Sequence, residues 1–220
     1  MNKLIFILLL FISCSATQQS NTNKKSVAEK KITAQQISNK QEPEELSDTF
    51  FADLCRYAYE QTLQKVTYDG SYYVIPYPNG DVPENIGVCT DVIIRAYRKV
   101  GYDLQKLIHE DMKKAHTEYN KRRKTEKLDP SIDHRRTPNM QTYFTRQNAQ
   151  LPITKNAKDY KPGDIVFWDV AYGHVGFVVN YKTPDGQRYM LVHNIGAGPQ
   201  LEDFLFGADI TGHYRWKPKK

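Results

Sequence analysis

The sequence has no apolar run long enough to span a bilayer. Its longest, Leu4 to Ile12, falls short of the ~20 residues that a ~30 Å hydrocarbon core requires. It also has no internal repeat, no HExxH and no paired CxxC, which removes repeat scaffolds and the familiar zinc-site spacings. Cysteine is scarce, with 3 in 220 residues, too few for a disulfide framework in a domain of this size. A one-sided charge block is missing as well: the net charge is +6, but the basic residues are scattered. That distribution gives a solvated surface with weak attraction to anionic envelope polymers, and no nucleic-acid partner is expected.

What is present begins with Lys3 ahead of the short apolar run, and Ser13 and Cys14 behind it. A charged head, short apolar core and small residue make a secretory signal. The ending "FISC" resembles the lipobox of bacterial lipoproteins, which implies acylation of Cys14 and attachment to a membrane through that lipid. A plain signal cleaved near Ser13 to Ala16 is the alternative, and both take the protein out of the cytoplasm. The lipobox reading makes it an envelope lipoprotein, facing the periplasm or anchored at the outer membrane. Residues 15–46 are Gln, Asn, Ser, Thr, Lys and Glu with almost no large apolar side chain, so they read as a tether that cannot offset its own ordering entropy. Residues 47–220 suit one domain, expected to act as a monomer, with an insertion at about 103–150.

Within the domain, Ser47 is placed to cap a helix whose apolar stripe runs through Phe51, Leu54, Cys55, Ala58, Leu63 and Val66. Cys55 therefore reads as core. After a Pro-rich extended stretch, a second helix is expected from about Cys89 to Val100, closed by Gly101. The insertion reads as one helix over "LQKLIHEDMKKAHTEYNKRRK" followed by an irregular "LDPSIDHRRTPNMQTYF". His109, Glu110 and Asp111 read as a solvated helix face. The last third consists of short β-branched and aromatic runs separated by Gly, Pro and Asp, with a hairpin turn at "TPDGQ". Helices first and antiparallel strands afterwards make an α+β domain.

Two residues carry the chemistry. Cys89 stands at a helix start, where backbone N–H groups and the helix dipole favour a thiolate. His174 enters a strand between Gly173 and Gly176, so no side chains crowd its ring. A cysteine followed by a distant histidine is the usual order for thiol catalysis. On the next strand, alternation sends His193 and Asn194 to opposite faces, so only one can steady the base, and His193 is preferred. Arg135 and Arg136, with Asp133 beside them, are candidates for gripping substrate carboxylates, against the alternative of a loop held by Asp–Arg pairs. Tyr73, Tyr77 and Tyr172 are possible hydroxyl donors at the site, and His213 reads as structural. No metal or other cofactor is called for. A metal hydrolase would have to draw its ligands from Cys89, His174 and His193, which the thiol mechanism already uses.

The strings "KPGDIVFW", "GHVGFVV" and "LVHN" resemble successive core strands of NlpC/P60 and CHAP-type cell-wall hydrolases. More narrowly, "PNGDVPENIGVCTDVIIRAYRKVGYDLQKLIHEDM", "IDHRRTPNM", "VHNIGAG" and "ITGHYRW" are similar to the DUF1287 family, from about Tyr68 to Trp216. The resemblance implies a papain-like fold in which Cys89 matches the nucleophile, His174 the base and His193 the third polar member. It also implies hydrolysis of a peptidoglycan amide, either muramoyl-L-alanine or a stem-peptide bond. Asn194 and Tyr172 would then lie at the substrate. The sequence departs from NlpC/P60 enzymes beside the cysteine, where Val88 and Thr90 replace an acidic and a small residue and Asp91 stands beyond. A non-catalytic peptidoglycan-binding or scaffold module on the same fold is the rival reading.

Overall fold

The computed structural model describes residues 42–119 and 127–219. The signal segment, Cys14 and nearly all of the tether lie outside the described residues, as does the end of the helix expected over 104–124. No described helix is long and apolar enough to cross a membrane.

Helix α1 (Thr49–Glu60) is capped by Asp48, whose side chain accepts from the Phe50 N–H, one residue later than expected. It buries Phe51, Leu54, Cys55 and Ala58. A 3-10 turn over Gln61–Leu63 breaks the period, so Leu63 is exposed rather than on the stripe. Two short parallel strands follow, β1 (Thr67–Tyr68) and β2 (Ile86–Gly87). Helix α2 (Cys89–Lys99) then buries Val92, Ile93, Ala96 and Tyr97 and stops at Val100, before Gly101.

The insertion is more regular than its sequence suggests. The single long helix is instead α3 (Leu104–Lys114), broken at Ala115, and a short α4 (His116–Tyr119). The stretch read as irregular contains a 3-10 turn over Asp133–Arg135 and α5 (Thr137–Arg146), started by Pro138 in its first turn, where proline lacks no needed donor. His109 corrects the solvated-face reading: it is buried, with its ring 5.0 Å from that of Tyr77. Asp111 instead binds Arg146 and Tyr119.

The strands β3 (Ile165–Trp168), β4 (His174–Lys182), β5 (Tyr189–His193), β6 (Gln200–Glu202) and β7 (Ile210–Tyr214) form one antiparallel sheet in the order β6-β5-β4-β3-β7. Alternation divides it into two faces. Ile165, Phe167, Val175, Phe177 and Val192 join the core built by α1, α2, α3 and α5. Val166, Trp168, Val178 and Leu191 pack with Tyr160 and Leu205 on the other side. The fold is thus α+β, as the order of sequence patterns implied. The tether reading does not hold to its end: Glu44 exchanges hydrogen bonds with Asn180 (Glu44 N–H to Asn180 O, 2.8 Å; Asn180 Nδ2 to Glu44 O, 2.7 Å). Its carboxylate also takes up Tyr189 and Lys182.

Burial sets a pH limit. His134 is buried, and its Nδ1 meets no hydrogen-bond partner among the described residues. Burial, with the neighbouring Arg135 and Arg98, lowers its pKa to about 4. The unfolded chain takes up that proton near pH ~6.5, so between these values the unfolded state binds more protons. The stability is therefore complete above about pH 6.5 and drains away as the pH falls toward 4. We expect the unfolding free energy in urea to decline over that window. His134→Leu should remove up to ~1.4 kcal/mol per pH unit from the slope; an unchanged slope would reject the assignment.

Candidate active site

Cys89 is the first residue of α2, and its position is fixed from both sides. The Asp91 carboxylate accepts the Val88 N–H at 2.7 Å, closing the helix start. Asn194 Nδ2 donates to Gly87 O at 3.1 Å, tying the preceding turn to the end of β5. Val88 has no side-chain acceptor, so Asp91 alone supplies the side-chain cap. The sulfur lies where the Val175 N–H, the Thr90 N–H and its own N–H all favour negative charge. Val175 directly follows His174, so the thiol abuts the backbone that carries the imidazole.

The helix-start argument for a ready thiolate is nonetheless corrected. Burial pushes the Cys89 thiol up to about 11, and the Asp91 carboxylate adds to the rise. The partial charge of a helix end is confined to its first turn and offsets only a small part of a desolvation penalty. Cys55 is higher still, at about 12 through burial, and its sulfur lies 3.7 Å from Val178 O under α1. It is core, as expected.

His174 Nε2 and His193 Nδ1 are 2.8 Å apart, so of the two rivals it is His193 that the structure brings to the base. Asn194 faces the Cys89 side and also accepts from the Gly196 N–H. The histidine pair is roofed by Trp168 and Phe204, with His193 stacked on Phe204 at 4.7 Å and Trp168 5.7 Å from His174. Gly176 makes this possible, because a Cβ there would stand 3.0 Å from His193 and 3.1 Å from the Trp168 ring. Gly173 is held at φ +97, where a Cβ would also strike Thr137. Burial and the adjacent His193 lower the His174 pKa to about 3, so the ring is a neutral imidazole at ordinary pH. No hydrogen bond joins it to the Cys89 sulfur among the described residues.

A cleft of about 640 Å³ opens over Cys89, bounded by Tyr68, Arg136, Thr137, Tyr172 and Gly173 and continuing along α5. Tyr172 is fully exposed on its rim, and Arg136 is exposed in its wall. Arg135 is not available to a ligand: its guanidinium forks onto Asp91 at 2.9 Å twice, both side chains almost wholly buried. Asp133 is buried as well and accepts the Asp129 N–H at 2.6 Å, so neither grips a substrate carboxylate. The alternative of a loop held by an Asp–Arg pair prevails, with Asp91 as the acid. Tyr73 donates to Asp69 and Tyr77 packs on His109. Tyr68 is among the tyrosines that line the cleft, and burial with the Cys89 and Asp91 charges raises its pKa. His213 lies outside the cleft, between Asp164 and Pro152 O.

Sequence reasoning missed Tyr68, the Asp91–Arg135 pair and Glu202, whose Oε2 lies 3.1 Å from His193 Nε2. That contact has ion-pair distance without hydrogen-bond alignment. Charge attraction tolerates misalignment better than a hydrogen bond does, so the contact acts through charge. Among the described residues no group of three or more His, Cys, Asp or Glu side chains is placed to hold a metal.

With the geometry in place, comparison with known proteins is informative. The model of the family described as "Domain of unknown function (DUF1287)" matches residues 55–216. The chain belongs to the DUF1287 family. Uncharacterized protein YijF of Escherichia coli (strain K12) is 47% identical over 161 residues, covering 72% of this chain and 78% of that protein. No solved structure matches. The DUF1287 match contains Cys89, His174, His193 and Glu202, together with both members of the Asp91–Arg135 pair.

That pair fastens the insertion to α2, reinforced by the Thr90 hydroxyl donating to Arg135 O at 3.0 Å. Removing one partner of a buried pair leaves the other charge unmatched, at a cost of about 3–5 kcal/mol. Arg135→Ala should lower the unfolding free energy by that amount in urea titration. A loss under about 1 kcal/mol would mean the pair is not buried in solution.

Proposed function

We propose that this DUF1287 protein is a thiol hydrolase of peptidoglycan amide bonds, on a papain-like fold of the NlpC/P60 kind. The observation that carries the reading is the 2.8 Å His174–His193 contact at the strand whose Val175 amide meets the sulfur of a helix-start cysteine, at the floor of an open cleft. An imidazole steadied by a second side chain, one residue along the strand from the amide that meets the sulfur, supplies the general base that acyl transfer through a covalent intermediate needs.

In this mechanism the Cys89 sulfur bonds to the amide carbon as its proton passes to His174 Nδ1. Collapse of the tetrahedral adduct breaks the C–N bond, and the imidazolium returns that proton to the departing amine. Water, deprotonated by the same imidazole, then opens the thioester and regenerates the thiol. The Cys89 N–H and the hydroxyl of Tyr68, which lines the same cleft, would be the oxyanion donors, each such donor being worth ~3 kcal/mol. Because thiol and imidazole both rest neutral, attack and proton transfer are coupled. Catalytic hydrogen bonds that are long in the free protein tighten in the substrate complex. Arg136 and Tyr172 would meet the peptide or muropeptide at the cleft wall. Export, a lipid anchor on Cys14, monomeric action and a place in the cell envelope complete the proposal.

The test is hydrolysis of muropeptides of defined structure, with products read by mass spectrometry. Wild type should cut a muramoyl-L-alanine or stem-peptide amide. Cys89→Ala should lose on the order of 10³-fold or more while its circular dichroism is unchanged. An equally active Cys89→Ala protein refutes the thiol mechanism.

The high thiol pKa specifically favours a second reading, a non-catalytic peptidoglycan-binding module. Alkylation with iodoacetamide separates the two. A catalytic Cys89 should label at a rate that climbs with pH, and more slowly in a His174→Ala protein, while Cys55 stays unlabelled. Rates for Cys89 and Cys55 that are equally slow, and indifferent to His174, would select the binding module.

A further inference from the structure

Glu202 has no part in the reaction just described, yet it stands at the far end of the histidine pair. We infer that Glu202 is a positioning residue that selects the tautomer of His174 by acting through His193. The inference rests on the reading of His174 as the base.

A neutral imidazole carries one N–H and one lone pair. The 2.8 Å contact between His174 Nε2 and His193 Nδ1 holds a single hydrogen, which leaves two arrangements. In the first, His174 Nε2–H donates, so His174 Nδ1 keeps its lone pair and can accept a proton. His193 then carries its hydrogen on Nε2. In the second, His193 Nδ1–H donates, His174 Nδ1 bears a hydrogen and cannot act as a base, and His193 Nε2 presents a lone pair.

Glu202 Oε2 is 3.1 Å from that same His193 Nε2. A carboxylate attracts the N–H of the first arrangement and repels the lone pair of the second. The approach misses hydrogen-bond alignment, but the sign of the electrostatic preference does not depend on alignment. The other groups shown against the pair among the described residues are uncharged: the rings of Trp168 and Phe204, and Gly176 on β4. His193 is wholly buried, whereas the Glu202 side chain is 26% exposed. The carboxylate therefore keeps its solvation while its field reaches a site with little screening.

Register explains how Glu202 arrives there. His193 lies opposite Gln200 and Leu191 opposite Glu202, so Glu202 reaches its histidine diagonally across the β5–β6 pair. The directly opposed Gln200 turns its amide to Ala197 O and Pro199 O.

The ¹⁵N shifts of the two rings report the tautomers directly. In the wild-type domain both His174 and His193 should appear as Nε2–H. In Glu202→Gln and Glu202→Ala a substantial Nδ1–H population should emerge on both rings, with kcat on a muropeptide reduced at least about tenfold and KM little changed. Glu202→Asp should restore part of the Nε2–H population. Circular dichroism confirms that each variant is folded, and a variant that is not is replaced by Glu202→Asp as the comparison. Wild-type rings found as Nδ1–H, or tautomers indifferent to Glu202, overturn the inference. If Glu202 governs the tautomer but no variant, wild type included, hydrolyses anything, Glu202's control of the pair stands and the enzymatic reading is what fails.

Discussion

Most of the site depends on one contact, the hydrogen shared between His174 and His193. It requires β4 and β5 to pair in the observed register, with Gly176 opposite His193. A slip of one residue would turn every side chain of β5 over, exchanging His193 for Asn194. The register is guarded on both faces of the sheet, because Phe177 and Val192 belong to the helix-side core while Val178 and Leu191 belong to the opposite one. The apolar pattern of two strands thereby sets the spacing of two polar rings.

The Cys89 thiol is held by an opposed set of forces. Three backbone N–H groups favour its thiolate, and burial disfavours it more strongly. The Asp91 carboxylate that closes the helix start also adds to the rise, and Arg135 matches its charge from the insertion. The insertion thus bears on the cysteine through Asp91: its arginine neutralises the acid that the helix start needs. Buried pairs of this kind stabilise less than their distances suggest but are costly to break on one side only.

Much of the scaffold was readable from the sequence because it follows local periodicity. The α2 stripe, the strand runs and the hairpin at Thr183–Gln187 all appear where pattern and turn chemistry put them. That only one of His193 and Asn194 can meet His174 was legible for the same reason, through alternation, while the choice between them was not. What escaped was whatever depends on distant partners. Arg135 looked like a ligand-binding residue because its partner Asp91 lies 44 positions away. His109 sat in a charged helix and looked solvated, and only the packing of Tyr77 over it revealed burial. Glu202 carries no motif at all, and its meaning comes solely from strand order. The break at Ala115 was hidden by a sequence with continuous helical preference.

The clasp at Glu44 gives the domain a direction. The chain enters beside Asn180 and Lys182, while His174 opens the same strand, about 20 Å away at ~3.4 Å per residue. The clasp at Glu44 is therefore fixed at the end of β4 opposite the one that carries His174.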